Sequence, residues 1–153
     1  MSWKSLGVLV ATMAFCTSLV AQNDPFVGVW QLNAEKSSGS QPGGQQRIQT
    51  ITNIPTPGGF TSIRASVGPD NRVGSERHPV VFDGKPHQTL GGDARLITYK
   101  RIDANTVERT HDRKGVIEVD ITEISKDAKT MTIKQEDNVR VYDKLFDLQP
   151  VGR

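Results

Sequence analysis

Apolar and polar residues alternate with a period of two along much of the chain. Ile117, Val119 and Ile121 alternate with Glu118, Asp120 and Thr122, predicting a strand over 115–124 whose Ile-Val-Ile side turns inward. Met131 and Ile133 alternate with Thr130, Thr132 and Lys134, and Val139 and Val141 with Arg140 and Tyr142, predicting two more strands. Further strands are expected over 45–54, 59–67, 78–83, 95–102 and 104–111. The joints are short: Asp103-Ala104-Asn105, Asp112-Arg113-Lys114-Gly115, Lys126-Asp127-Ala128-Lys129 and Glu136-Asp137-Asn138. Joints this short make sequential strands antiparallel neighbours. Helical periodicity is hard to find after the first 21 residues. The expected fold is all-β, an antiparallel up-and-down barrel of about eight to ten strands, because closure removes exposed edges.

The run Phe26-Val27-Gly28-Val29-Trp30-Gln31-Leu32 reads as the opening strand. Gly28 would let neighbouring backbone approach, and Trp30 would plug one end of the barrel. Residues 37–46 read as a flexible Gly/Ser/Gln loop, residues 68–77 as a polar connector, and Gly91-Gly92-Asp93 as a turn or rim bulge. Residues 1–21 carry Lys4, an apolar stretch over 6–15 and small residues before Gln22, the pattern of a cleavable export signal. That apolar run is shorter than the ~20 residues of a bilayer span. Cys16 follows the bulky Phe15 and reads as part of the signal, leaving one cysteine-free domain over 22–153 without a transmembrane span. The expected location is periplasmic or secreted.

Charge narrows the partners. Nineteen basic and seventeen acidic residues are mixed along the chain, for a net charge of +2, with no Lys/Arg block. A nucleic-acid partner is therefore not expected. The apolar fraction of 35% suits a barrel with a partly polar interior. Nothing points to an oligomer, and the chain reads as a monomer.

The segment from Asp24-Pro25-Phe26 through Trp30 to Glu35-Lys36-Ser37 resembles the opening of small exported bacterial lipocalin-like proteins. The resemblance extends through Phe82-Asp83-Gly84-Lys85, Lys100-Arg101-Ile102-Asp103-Ala104-Asn105-Thr106-Val107-Glu108, Ser125-Lys126-Asp127-Ala128-Lys129-Thr130-Met131-Thr132 and Val141-Tyr142-Asp143-Lys144. It implies a calycin-type barrel and names no ligand. More distantly, Phe-Val-Gly-x-Trp and Arg140-Val141-Tyr142 are similar to the first and last strands of fatty-acid-binding proteins. That similarity implies that Arg140 and Tyr142 grip a carboxylate inside the barrel. The chain departs from that family where its helical lid would fall, in the Gly/Ser/Gln-rich loop.

Trp30, Tyr99, Arg140 and Tyr142 are thus the candidate ligand-binding residues, with Gly28 and Trp30 also structural. Arg140 or Arg101 is a candidate to lie across the indole as a cation–π partner. Residues 140 and 142 share a strand face. With Val139 and Val141 outside under a loop, helix or partner, the pair points into the lumen; with the valines inside, the pair is solvated. His78, His87 and His111 lack metal-ligand spacing, and as strand and loop residues they are expected to be exposed. Glu118 and Asp120 are expected on the wet outside. No Gly-x-Ser-x-Gly elbow or phosphate loop is present, so no cofactor is implied and the chain reads as a non-enzyme. The function expected is lumenal binding of a small, partly hydrophobic ligand, with an acidic head group where Arg140 faces inward. The alternative is an interaction barrel with a filled lumen. An enzyme would need a pocket holding two titratable groups within hydrogen-bond reach.

Overall fold

The computed structural model describes residues 24–38, 48–68, 70–91, 95–113 and 115–148. The expected signal over 1–21, Cys16, most of the 37–46 loop and Gly92-Asp93 lie outside the described residues. Ten strands follow in chain order: β1 Gly28–Ser38, β2 Ile48–Thr56, β3 Gly59–Val67, β4 Val73–Val81, β5 His87–Gln88, β6 Leu96–Arg101, β7 Thr106–Arg113, β8 Val116–Ile124, β9 Thr130–Gln135 and β10 Asn138–Phe146. They form one antiparallel sheet in the order β4-β3-β2-β1-β10-β9-β8-β7-β6-β5. The first strand pairs with the last, and the two edges meet where Arg77 and Leu90 exchange backbone hydrogen bonds of 2.8 and 2.7 Å. The result is a nearly closed up-and-down β-barrel of the lipocalin-like type, as the alternation and short joints predict.

Two features depart most from expectation. Residues 73–77, read as connector, belong to β4 and pair in register with β3 from Val67↔Val73 to Ile63↔Arg77. They are polar because this end of the strand is open to solvent. The second departure is β8. Ile117 is 61% and Val119 46% exposed, whereas Asp120 is 0% exposed. The strand therefore turns its apolar side outward and its carboxylates inward, the reverse of the expected arrangement. Its pairing explains this: Arg109 on β7 lies opposite Asp120, and His111 opposite Glu118, so the inward polar face meets complementary groups.

One end of the barrel is a sealed apolar floor. Trp30 is fully buried, and its indole Nε1 donates to the Phe26 carbonyl at 3.0 Å. The same carbonyl accepts from Asn53 Nδ2 at 2.8 Å. Phe26 stacks on Phe60 at 6.1 Å between centroids, and Phe60 meets Phe82 edge-on at 6.3 Å. The cation on the indole is Lys144, 4.7 Å from the ring centroid, rather than Arg140 or Arg101. Residue 144 faces Trp30 across the β1–β10 pairing, so a lysine there is the nearest cation. Arg101 instead covers Phe26 and Phe82, at 4.9 and 4.3 Å, and is held by Asp24. Gly28 has the structural role expected of it: at φ +139° a Cβ would stand 2.9 Å from the Phe146 carbonyl oxygen.

Trp30→Ala would open a cavity in this floor and remove one of the two donors to the Phe26 carbonyl. The expected loss is about 3–5 kcal/mol in urea unfolding, a large share of a single domain's stability. A loss under about 1 kcal/mol would mean that the floor does not rest on the indole.

Candidate functional site

Above the floor the inward positions change character. The apolar layer of Ile51, Val107, Met131 and Ile133 gives way to Ser62, Arg64, His78, Tyr99 and Arg109, and together these line a cavity of about 40 Å³. A buried water occupies roughly 10–15 Å³ on this measure, so the cavity has room for about three. Its wall is apolar on one side and rich in donors and titratable groups on the other.

Charges in the lumen are organised in pairs. Arg109 grips Asp120 through both Nε, at 2.6 Å, and Nη2. His111 Nε2 stands 3.4 Å from Glu118 and 3.5 Å from Asp120. Burial alone would raise the Asp120 carboxyl, yet His111 and Arg109 together hold it down at about 2. Glu76 faces His78 Nδ1 at 3.4 Å and takes a 3.1 Å bond from Arg95 Nη2. The His78 contact, with help from Arg64 and Arg95, overcomes burial and lowers Glu76 to about 2. Burial holds His78 below the usual histidine range despite Glu76. Tyr99 meets His78 Nε2 at 2.6 Å, and burial raises its phenol.

The expected site residues fall in different places. Tyr99 lines the cavity, whereas Trp30, Arg140 and Tyr142 do not. Trp30 seals the floor. Tyr142 is fully buried, and its hydroxyl donates to Gln49 Oε1. Arg140 is 7% exposed, and its Nε has no hydrogen-bond partner. Burial, and then the nearby charge of Arg64, lower its pKa. Of the two orientations for the last strand, the structure takes the inward one for Arg140 and Tyr142. Val141 is buried yet stands apart from the interior cluster. On that outer side the irregular end of β1 reaches over, and Ser37 Oγ accepts from the Val141 amide at 3.0 Å.

Two histidines depart from expectation. His78 and His111 are buried rather than exposed, because the polar lumen supplies them with carboxylates. His87 is the surface residue expected, 3.0 Å from Asp83. Among the described residues no group of three or more His, Cys, Asp or Glu is placed to hold a metal. Sequence reasoning missed Arg64, Glu76 and Arg109 altogether. Asp120 and His111 were visible, but their partners come from register and not from chain proximity.

Fold and site together define an up-and-down β-barrel with a sealed apolar floor and a charged lumen. No family model, curated protein or solved structure matches the chain.

Glu76 and Asp120 both have folded-state pKa values below the ordinary ones of 4.5 and 3.8. As pH falls the unfolded chain therefore takes up protons before the folded one, and stability declines. Urea midpoints are expected to be level near neutrality and to drop between about pH 4.5 and 2. Asp120→Asn should lose about 3–5 kcal/mol at pH 7, because Arg109 is left as an uncompensated buried charge, and should flatten part of the acid slope. An unchanged slope in that variant would remove Asp120 from the account.

Proposed function

We propose that the barrel binds a small, partly apolar organic acid in its lumen, as an exported lipocalin-like carrier. The observation that carries this reading is Arg140. A guanidinium taken out of water is costly unless an anion faces it, yet Arg140 Nε has no partner and its neighbours include Arg64 and Arg109. Arg64 Nε is likewise buried without a hydrogen bond. Asp120 is engaged by Arg109 and Glu76 by Arg95, so neither is free to serve these two cations fully. A carboxylate entering the lumen would supply the missing charge and a bidentate partner. The apolar layer beneath suits a short hydrocarbon part.

The size of the cavity favours a small acid, or the head of a larger one, over an enclosed long-chain lipid. The resemblance of Arg140-Val141-Tyr142 to the last strand of fatty-acid-binding proteins supports the same chemistry. Tyr142 is already bonded to Gln49, so of that motif Arg140 is left to meet the carboxylate, from beside the cavity and not in its wall. Export rests on residues 1–21. A second reading, an interaction barrel, draws on the outer row that joins Leu96 of β6 to Ile117 and Val119 of β8, all half or more exposed or nearly so. It does not explain why the Nε atoms of Arg64 and Arg140 are buried without a hydrogen bond.

Native mass spectrometry of protein purified from its own host should detect an acidic adduct of low mass. Arg140→Met is expected to weaken binding of that acid at least tenfold while raising the unliganded melting temperature, by the equivalent of on the order of 1 kcal/mol, since an uncompensated buried charge is removed. Undiminished binding in Arg140→Met would refute the assignment.

A further inference from the structure

Two titratable side chains touch at the wall of the lumenal cavity. Tyr99 Oη and His78 Nε2 are 2.6 Å apart, with the two rings stacked at 5.8 Å and both residues lining the cavity. On the far side of the imidazole, Nδ1 faces Glu76 Oε1 at 3.4 Å, and Glu76 is itself anchored by Arg95 at 3.1 Å. His78 Nδ1 makes no hydrogen bond, but the Glu76 carboxylate beside it favours a proton there, which leaves Nε2 to accept from the Tyr99 hydroxyl. Carboxylate, imidazole and hydroxyl in this order form the arrangement in which a histidine takes up a hydroxyl's proton as that hydroxyl reacts. The 3.4 Å contact falls short of a hydrogen bond, and a bound substrate would have to tighten it for the relay to work.

The rest of the cavity wall points to the kind of reaction. Arg64 and Arg109 line the same space. Arg109 is engaged by Asp120, so it is the Arg64 guanidinium that favours a substrate on which negative charge grows at an oxygen. Room for about three waters matches an acid of three or four carbons, with no space for a second reactant. A chemistry that needs only the movement of protons fits both constraints.

We propose that the barrel catalyses proton transfer at the carbon beside the carbonyl of small 2-oxo acids, with Tyr99 and His78 as catalytic residues and Glu76 as the positioning residue. This rests on the reading of the lumen as a chamber for a small organic acid. In the forward step the substrate C–H bond breaks and its proton goes to Tyr99 Oη, while the phenol's own proton passes to His78 Nε2. The C–H electron pair becomes the carbon–carbon double bond of the enolate, and the carbonyl pair moves onto oxygen, facing the guanidinium of Arg64. The imidazolium that forms lies against Glu76. Reversal returns a proton to carbon, or a deuteron when the relay has exchanged with D2O, so no oxidant, reductant or water is consumed.

The test uses the full chain with pyruvate and 2-oxobutanoate in D2O. Proton NMR follows loss of the C3 proton signals, and saturation transfer reports binding in the same sample. The expected result is binding of at least one acid and C3 exchange at least tenfold faster than in buffer. Tyr99→Phe should still bind the acid and lose at least tenfold in exchange rate. If Tyr99→Phe does not fold, His78→Gln serves instead, since a glutamine can accept the phenol's hydrogen bond but cannot take its proton. His78 is faced by Glu76, Tyr99, Arg64 and Arg109. Glu76→Gln removes the only anion among them and should move the lower limb of the pH–rate profile to lower pH, a shift that loss of packing alone would not produce. Binding without exchange in the wild-type protein overturns this inference and leaves the carrier reading standing. Full exchange in a folded Tyr99→Phe or His78→Gln protein also overturns it. Failure of both acids to bind also overturns this inference, while the carrier reading is decided by the native mass spectrum and Arg140→Met.

Discussion

The pairing of Arg109 with Asp120 decides which way the barrel wall faces. Either side chain alone in the interior would cost several kcal/mol in lost hydration. Placed directly opposite each other on β7 and β8, they neutralise one another through two hydrogen bonds from the guanidinium. Because side chains alternate along a strand, fixing this pair inward also fixes His111 and Glu118 inward and Ile117 and Val119 outward. A slip of one residue would place Asp120 in solvent and strand Arg109. The apolar residues of β8 are therefore outside by consequence and not by their own preference.

This constraint divides the barrel into two unlike ends. The Trp30 end follows ordinary core logic: aromatic rings fill the space, a backbone carbonyl satisfies the indole, and Lys144 and Arg101 close it from outside. The other end is stabilised by charge complementarity that is only partly complete. His111, Asp120, Arg64 and Arg140 all have buried polar atoms without a hydrogen bond. Each such atom costs about 1–3 kcal/mol relative to a satisfied one. The sealed floor is what allows the lumen to carry that cost, and buried groups left unsatisfied in this way are a mark of sites shaped for something else to bind.

The barrel itself was legible in the sequence, because period-two alternation and joints of a few residues leave few topologies to consider. The role of Gly28 and Trp30 was legible for the same reason: a small residue beside a large aromatic on an opening strand has few uses. The direction of each face was not. Alternation in β8 states that Ile117 and Asp120 lie on opposite sides, and the usual preference for buried isoleucine then chose the wrong side. Only the register with β7 reverses that preference, and register is a property of two strands. The contact between Tyr99 and His78 behaves in the same way, since the two residues lie 21 positions apart. Residues 73–77 escaped detection because the mouth of a barrel is wet on both faces, so its strand ends lose their alternation.

Arg140 shows how far a motif and its surroundings can each carry an argument. The motif places an arginine and a tyrosine on one face of the last strand, and both are buried, while Ser37 Oγ at the irregular end of β1 accepts from the Val141 amide. What the motif does not contain is the division of labour. Tyr142 is tied to Gln49, while Arg140 stands among Arg64 and Arg109 without a hydrogen bond to its Nε. Arg109 is neutralised by Asp120, whereas Arg64 and Arg140 repel each other and weaken the fold. A chain selected for stability alone would put methionine or leucine at 140, as volume-matched apolar residues commonly improve on an uncompensated buried charge. A positive charge that is 7% exposed and has no hydrogen bond at Nε is therefore a cost to the fold, which an anion entering the lumen, as proposed above, would offset.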